Sequence, residues 1–315
     1  MYGSHLSIAG GMVNALDEAQ RLDMDCVQVF TKNQRQWRVK PLDPGEKTAW
    51  LDKLKELGWN NPRKTGPDRV VSHNSYLINM ASPDPEAWDK SVALQRVELE
   101  RCEELLIPLC VAHPGAHLGA PRKPGEPNVL EGKPSKDETG GLKRIVKALD
   151  RLHMELKGYR TMTCLETTVG SGTNLGYDFA HLAFILQRVK QPERVGICFD
   201  TCHVTAAGYD MTTPANAKSV LRKFASICGT STLKVFHFND SIGAVGSRKD
   251  RHAHIGEGEC GESCFAAILQ RKSFSKLPKI LETPKAVDNE GQAWDLVNIR
   301  RLKGLATRTV NEISR

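Results

Sequence analysis

The sequence predicts an α/β fold, a TIM (β/α)8 barrel with a metal cluster at the carboxyl-terminal face of its strands. Three observations point there. Short apolar runs alternate with segments of helical periodicity, the pattern of parallel strands joined by crossover helices. Run after run ends in a metal-ligand side chain, where α/β folds gather their chemistry. And 315 residues suit a single barrel domain over 1–315, since such barrels commonly reach about 250 residues and grow by insertion.

Tyr2 to Ile8 reads as the first strand, turned by Gly10-Gly11 into a helix with Met12, Leu16, Ala19 and Leu22 on one face. Cys26 to Phe30 is the second strand, and Thr31 to Arg38 a loop of cations, amides and one indole. Pro44 to Leu57 is helical. The third strand lies in Arg69–Asn74 and ends in His73, with the apolar stretch Ser75–Asn79 beside it; core packing is the default explanation of that stretch. Asp84 as cap and Pro85 in the first turn start a helix carrying Trp88, Val92, Leu99 and Cys102 on one stripe.

The fourth strand, from Leu109, ends in His113. Pro121 to Glu138 lacks apolar periodicity and is rich in Pro, Gly and Lys, so it reads as a long exposed loop. A helix from about Leu142 to Leu156 leads to the fifth strand, Met162 to Glu166. The Gly170–Gly176 run that follows is a weak nucleotide signal, because no helix opens inside it. Val195 to Phe199 is the sixth strand, ending in Asp200, with His203 and a glycine-containing loop at Gly208 beyond. Pro214 to Ile227 is helical, and Leu233 to Phe238 is the seventh strand, containing His237. The Gly243–Glu259 loop holds Arg248, Asp250, Arg251, His252 and His254. The eighth strand ends at Glu282, and Leu296, Ile299 and Leu302 mark a closing helix.

Composition bounds the function. A net charge of +7 suits an anionic partner, and a basic surface around an acidic pocket suits nucleic acid better than a neutral sugar. Nine cysteines, mostly inside apolar segments, read as buried reduced thiols in a reducing compartment. The pairs Cys198/Cys202 and Cys260/Cys264 lack the two-residue spacer of a zinc ribbon. The amino terminus lacks the charged leader and apolar core of a signal peptide, and no window approaches the roughly twenty apolar residues of a membrane span. A cytoplasmic protein with no membrane partner is expected.

The strand ends supply His73, His113, Glu166, Asp200, His203, His237 and Glu282, and the late loop adds Asp250 and His252. These are too many for one tetrahedral zinc of about four ligands, but they suit a cluster in which a carboxylate bridges ions. Four carboxylates in one mouth without counter-ions would cost several kcal/mol per buried charge, so cations are expected. Zn2+ is preferred for imidazole and carboxylate ligands, and Mn2+ or Fe2+ would accept much the same set. Such clusters recur in phosphodiester hydrolysis.

Phe30–Arg38, Ser75–Asn79, His113-Pro-Gly, Asn174-Leu-Gly176, Asp200-Thr-Cys-His203, Ala206–Asp210, Gly246-Ser-Arg, Asp250-Arg-His252, Ile255–Gly258 and Leu281-Glu-Thr283 resemble, in order, motifs of the endonuclease IV family of apurinic/apyrimidinic (AP) endonucleases. The resemblance implies a three-zinc DNA-repair enzyme acting on double-stranded DNA that contains abasic sites. It would cut 5′ to the abasic nucleotide, leaving a 3′-hydroxyl and a 5′-deoxyribose phosphate. It further implies that His73, His113 and Glu166 hold one zinc; that Glu166, Asp200, His237 and Glu282 hold a second; and that His203, Asp250 and His252 hold the third. Glu166 and Glu282 would be the catalytic carboxylates, Glu166 bridging the first two ions and holding the attacking hydroxide. Arg35, Tyr76 and Leu77 would wedge into the DNA, and the protein would act as a monomer. Asn74, Thr167 and Thr205 depart from the family pattern, and the Pro121–Glu138 loop is longer than the family needs. His5 and His117 are expected to support the site or the fold, and His254 to be a solvated loop residue.

Two alternatives use the same residues. A metal-dependent sugar isomerase or epimerase would need at most two ions and would leave Asp250, His252 and the Arg35 loop idle. A zinc-stabilised DNA-binding protein without catalysis would have no turnover for a Glu166→Gln change to remove.

Overall fold

The computed structural model describes residues 1–60, 66–123 and 125–307, so Pro124 of the predicted loop and the last eight residues of the predicted domain lie outside the described residues. Seven short strands follow one another around a ring: β1 (Tyr2–His5), β2 (Cys26–Val29), β3 (Val70–His73), β4 (Leu109–Ala112), β5 (Met162–Glu166), β6 (Val195–Asp200) and β7 (Leu233–His237). A small antiparallel ribbon, β8 (Asp240–Ser241) with β9 (His252–Ala253), interrupts the chain before β10 (Lys279–Leu281) pairs with both β7 and β1 and closes the barrel. Every barrel pairing is parallel. The predicted TIM barrel is therefore the observed one.

Alternation along the strands positions the site. Cys26, Val71, Leu109, Val111, Cys164, Cys198, Val235 and Ile280 form one apolar plug inside the barrel. Side chains two residues apart share a face of a strand. Two residues beyond Cys26, Val71, Val111, Cys164, Cys198, Val235 and Ile280 stand Gln28, His73, His113, Glu166, Asp200, His237 and Glu282. The plug is thus a floor, and the polar residues lie on it at the carboxyl-terminal mouth.

The outer layer consists of α1 (Val13–Arg21), α2 (Pro44–Glu56), α3 (Pro85–Glu104), α4 (Lys136–Glu155), α5 (Phe179–Leu186), α7 (Pro214–Cys228), α8 (Glu262–Leu269) and α9 (Trp294–Thr307), while the short α6 (Thr201–Ala207) sits at the mouth after β6. The layer's large side chains, such as Trp50, Phe179, Phe224 and Phe265, are buried against the barrel, each contributing roughly 1.5–3 kcal/mol by transfer. The Asp84 cap accepts from the Ala87 amide at 2.7 Å, with Pro85 in the first turn, as expected. All nine cysteines are buried and free. No described helix is long and apolar enough to cross a membrane.

Three readings need correction. The exposed loop ends sooner than predicted, because Ser135 and Glu138 form a reciprocal capping box that starts α4 at Lys136 and buries Glu138. The chain after Asp200 is a short helix, α6, before it reaches Gly208. And α5 and α8, with sequences FAHLAFIL and ESCFAAIL, were not anticipated; nearly continuous apolarity hides the helical period.

Candidate metal centre

Glu166 ends β5, is fully buried, and meets four imidazoles. Its Oε2 lies 3.2 Å from Nε2 of His73 and 3.0 Å from Nε2 of His113. Its Oε1 lies 2.8 Å from Nδ1 of His237 and 3.2 Å from Nδ1 of His203. His237 Nδ1 is also 3.1 Å from Glu282 Oε2 and 3.8 Å from Asp200 Oδ2. From the ribbon side, Asp250 Oδ1 is 3.2 Å from His203 Nε2 and 3.4 Å from His252 Nε2. All nine predicted ligand residues therefore meet at one mouth.

Donor atoms fall into groups lying within 4.8 Å of one another: His73, His113 and Glu166; Glu166, Asp200, His237 and Glu282; and Asp200, His203 and His252. The first two groups match the sets implied by the resemblance. In the third, Asp200 completes the group at that distance, with Asp250 facing both imidazoles from outside. A further group, Glu166, Cys198 and His237, reaches down to the floor.

Other hydrogen bonds aim the ligands. The Nδ1 atoms of His73, His203 and His252 face the backbone oxygens of Asn74, Thr167 and Glu282 at 2.9, 2.8 and 3.2 Å. A carbonyl can only accept, so each ring keeps its hydrogen on Nδ1 and points Nε2 at the centre, where a cation would take the place of an Nε2 proton. Nε2 of His203 and of His252 is buried without a hydrogen-bond partner. Buried nitrogens left open beside carboxylates are what a divalent cation would satisfy, so the residues fit metal binding. Asp200 combines two roles: Oδ1 caps α6 by accepting from the His203 amide at 2.7 Å, and Oδ2 faces the centre.

Charges in the mouth respond to one another. Burial pushes Glu166 up, but His237 and His113 more than offset it and hold the carboxyl well below its usual range. Glu282 is also held well below, burial being outweighed by His237 and His5. Asp250 is lowered too, against burial, by His203 and His252. Asp200 is raised, because its burial exceeds the pull of His203 and His252. Despite burial, His237 is driven well above 6.5 by Cys198, Glu282 and Glu166, and His203 by Asp200, Asp250 and Glu166. Carboxylates that draw protons onto neighbouring imidazoles would draw metal ions in their place.

Two side chains of the centre were not anticipated. Gln28 donates to Glu282 Oε1 at 2.6 Å, and its Oε1 faces His237 Nε2 at 2.8 Å. Asn239 donates to Asp200 Oδ2 at 2.7 Å and accepts from the Glu282 amide at 2.8 Å. An amide in the middle of an apolar strand was the available signal for Gln28. The departures from the family pattern sit just outside the centre. Asn74 donates to Gln95 at 2.8 Å, the Thr167 hydroxyl accepts from the Asp200 amide at 2.9 Å, and Thr205 is buried in α6.

The predicted DNA-facing residues lie at the rim and outside the cluster. Tyr76 is 62% exposed, its ring 5.6 Å from that of His73 and 6.2 Å from that of His113. Leu77 is half-buried against the outer core. Arg35 is exposed and lines a cleft of about 620 Å³ with His5, Phe30 and Lys285. Lys32 of the same loop is held by Glu98 at 3.1 Å. His5, 3.4 Å from Glu282, borders the centre, whereas His117 is buried in the connection after β4 and accepts from the Gly119 amide at 3.1 Å. His254, expected to be solvated, is only partly exposed. It stacks on Trp294 at 3.8 Å, because a neutral ring and an indole exclude water together.

A family model described as a xylose isomerase-like TIM barrel matches residues 16–301. The chain is 41% identical over 304 residues to the probable endonuclease 4 of Chloroflexus aurantiacus, covering 96% of this chain and 97% of that protein. It is 39% identical over 306 residues to the probable endonuclease 4 of Geobacter sulfurreducens, covering 97% and 94%. The crystal structure of endonuclease IV from Thermus thermophilus matches with a TM-score of 0.77 at 31% identity, over 96% of this chain and 98% of that one. A D-tagatose 3-epimerase-like protein matches with a TM-score of 0.67 at 17% identity, covering 100% of this chain and 99% of that one, a likeness of fold alone. Full-length identity to these relatives, on a closed barrel whose mouth gathers the expected ligands, shows that the chain belongs to the endonuclease IV family.

Proposed function

We propose that this protein is a DNA-repair endonuclease that cuts double-stranded DNA 5′ to an abasic nucleotide, leaving a 3′-hydroxyl and a 5′-deoxyribose phosphate. The observation that carries the reading is the gathering of imidazoles and carboxylates around Glu166, in a chain 41% identical to a probable endonuclease 4.

The donor set suits three zinc ions, with manganese or iron accepted by the same ligands. His73, His113 and Glu166 would hold one; Glu166, Asp200, His237 and Glu282 a second; His203, Asp250 and His252 the third. When bound, such ions lower the pKa of water towards about 7 and neutralise charge on phosphate oxygens. Glu166, ionised and with each oxygen facing different imidazoles, is suited to link the first two positions. Glu282 is aimed across the mouth by Gln28 and bordered by His5. At the rim, Arg35 would wedge into the DNA beside Tyr76 and Leu77. Tyr76 and Leu77 would fill the stack that the damaged nucleotide leaves, offsetting an unstacking cost of a few kcal/mol. The reading takes the protein as a monomer working in the cytoplasm.

Zinc-loaded protein should nick a duplex carrying one tetrahydrofuran abasic analogue on its 5′ side. Folded, metal-loaded protein that nicks it no faster than an undamaged control overturns the proposal. Ketose turnover with two or fewer bound ions would instead indicate a sugar epimerase. Glu166→Gln should remove nicking that the wild type possesses, which a non-catalytic DNA-binding protein would not have to lose.

A further inference from the structure

The helix that carries His203, α6, is only seven residues long, so it depends on partners at both ends to keep its shape. Asp200 caps its amino end. At its carboxyl end the last three carbonyls each accept from outside the helix: Thr205 from the Gly246 amide at 3.1 Å, Ala206 from the Arg248 amide at 2.9 Å, and Ala207 from Asn128 Nδ2 at 3.0 Å. Gly246 and Arg248 lie in the loop that bears Asp250. Asn128 lies in the long segment between His117 and α4.

The same Asn128 nitrogen also donates to the Val169 oxygen at 3.1 Å, in the connection that follows Glu166. Two carbonyls fix the direction of the amide, since reversing it would set oxygen against oxygen. Its oxygen is buried without a hydrogen-bond partner among the described residues, a cost that the two donated bonds offset. Approach is close on both sides. A Cβ on Gly170 (φ +71°) would lie 2.8 Å from the Asn128 nitrogen, and one on Gly208 (φ +120°) 3.4 Å from Leu130 Cδ1. The segment is itself fixed: Arg122 pairs with Glu138 at 3.1 Å and lies over the Tyr177 ring, the Glu131 amide donates to Asp178, and Arg248 Nη2 donates to the Lys123 oxygen at 3.0 Å.

We propose that Asn128 is a positioning residue for the third metal position. By joining the connection after Glu166 to the end of α6, it holds His203 3.2 Å from both Glu166 Oε1 and Asp250 Oδ1, with the His252 ring alongside. This rests on the three-ion reading of the centre.

The test is zinc titration against a competing chelator. Asn128→Leu keeps the bulk and removes both donors, so affinity for one of the three ions should fall by about 10- to 100-fold while the other two stay as in the wild type. At limiting zinc, kcat for nicking should fall in step, and it should recover as zinc is raised. Asn128→Ser, which can donate to only one carbonyl, should lie between. Val129→Ala, its exposed neighbour, is the control and should hold all three ions like the wild type. A merely structural role would weaken the three ions together. If the Leu variant weakens all three equally, or retains all three unchanged, the positioning role is refuted, and wild-type nicking leaves the endonuclease reading standing. Should the Leu variant fail to fold, the Ser variant decides by the same criterion. If the wild type takes up no third ion, the three-ion reading falls and this inference with it.

Discussion

Gln28 and His237 face each other inside the barrel, the amide Oε1 2.8 Å from the ring Nε2. The amide oxygen accepts a hydrogen bond from Nε2–H and leaves Nδ1 for the centre, where Glu166 and Glu282 lie. Gln28→Leu keeps the apolar neighbours but leaves that ring nitrogen unpaired and Glu282 unaimed. Metal affinity or nicking should fall by about 10- to 100-fold, the usual cost of losing a group that orients a ligand. Zinc content after dialysis and kcat/KM for nicking measure the two effects, and a variant equal to wild type in both would exclude the orienting role.

Metal removal should be visible in protons as well as in activity. Without cations, the carboxylates hold protons on His203 and His237, both raised well above 6.5. Adding zinc to chelator-stripped protein in weak buffer near neutral pH should therefore release protons while restoring nicking. At a free zinc level about 100 times Kd, stability should also rise by about 2.7 kcal/mol. Zinc uptake without proton release would contradict the charge arrangement described above.

Tyr76 and Leu77 separate binding from folding. Tyr76 is mostly exposed, so Tyr76→Ala should stay within about 0.5 kcal/mol of wild-type stability and yet weaken binding to an abasic duplex more than to an intact one. Leu77 is half-buried against the core, so Leu77→Ala should weaken abasic binding and also lower the urea midpoint. Equal loss of binding to both duplexes would show that neither residue reads the lesion.

His181 should give the fold a pH dependence independent of the metal centre. Burial lowers its pKa to about 4, and its Nδ1 accepts from the Gly176 amide at 3.3 Å, which requires the neutral ring. As pH falls below 6.5, the unfolded chain takes up this proton first. The contribution is complete above that pH and is lost as pH falls towards 4, amounting to about 2 kcal/mol between pH 7 and pH 5. Urea unfolding of His181→Asn should show a smaller loss over the same interval. An unchanged loss would rule out His181 as its source.

The barrel and its ligands were legible because they repeat one local pattern, an apolar run ending in His, Asp or Glu, and a shared mouth accounts for all of them. Gln28 and Asn239 were not legible. A strand amide and an amide two residues past His237 have no ligand chemistry of their own, and only the closed ring brings them to Glu282 and Asp200. Asp200 shows that a bland reading and a functional one can hold together, since one oxygen caps α6 while the other faces the centre. The ribbon of β8 and β9, two residues in each strand, is too short to leave an alternating signature.

The placement of the mouth residues two positions above the apolar floor makes each strand a matter of parity. Inserting one residue between Cys164 and Leu165 would turn the Glu166 carboxylate outward to the helices and send Leu165 into the cavity. Changes in chain length should therefore be tolerated only in the connections beyond the last inward-pointing residue of each strand, such as the one that follows His113.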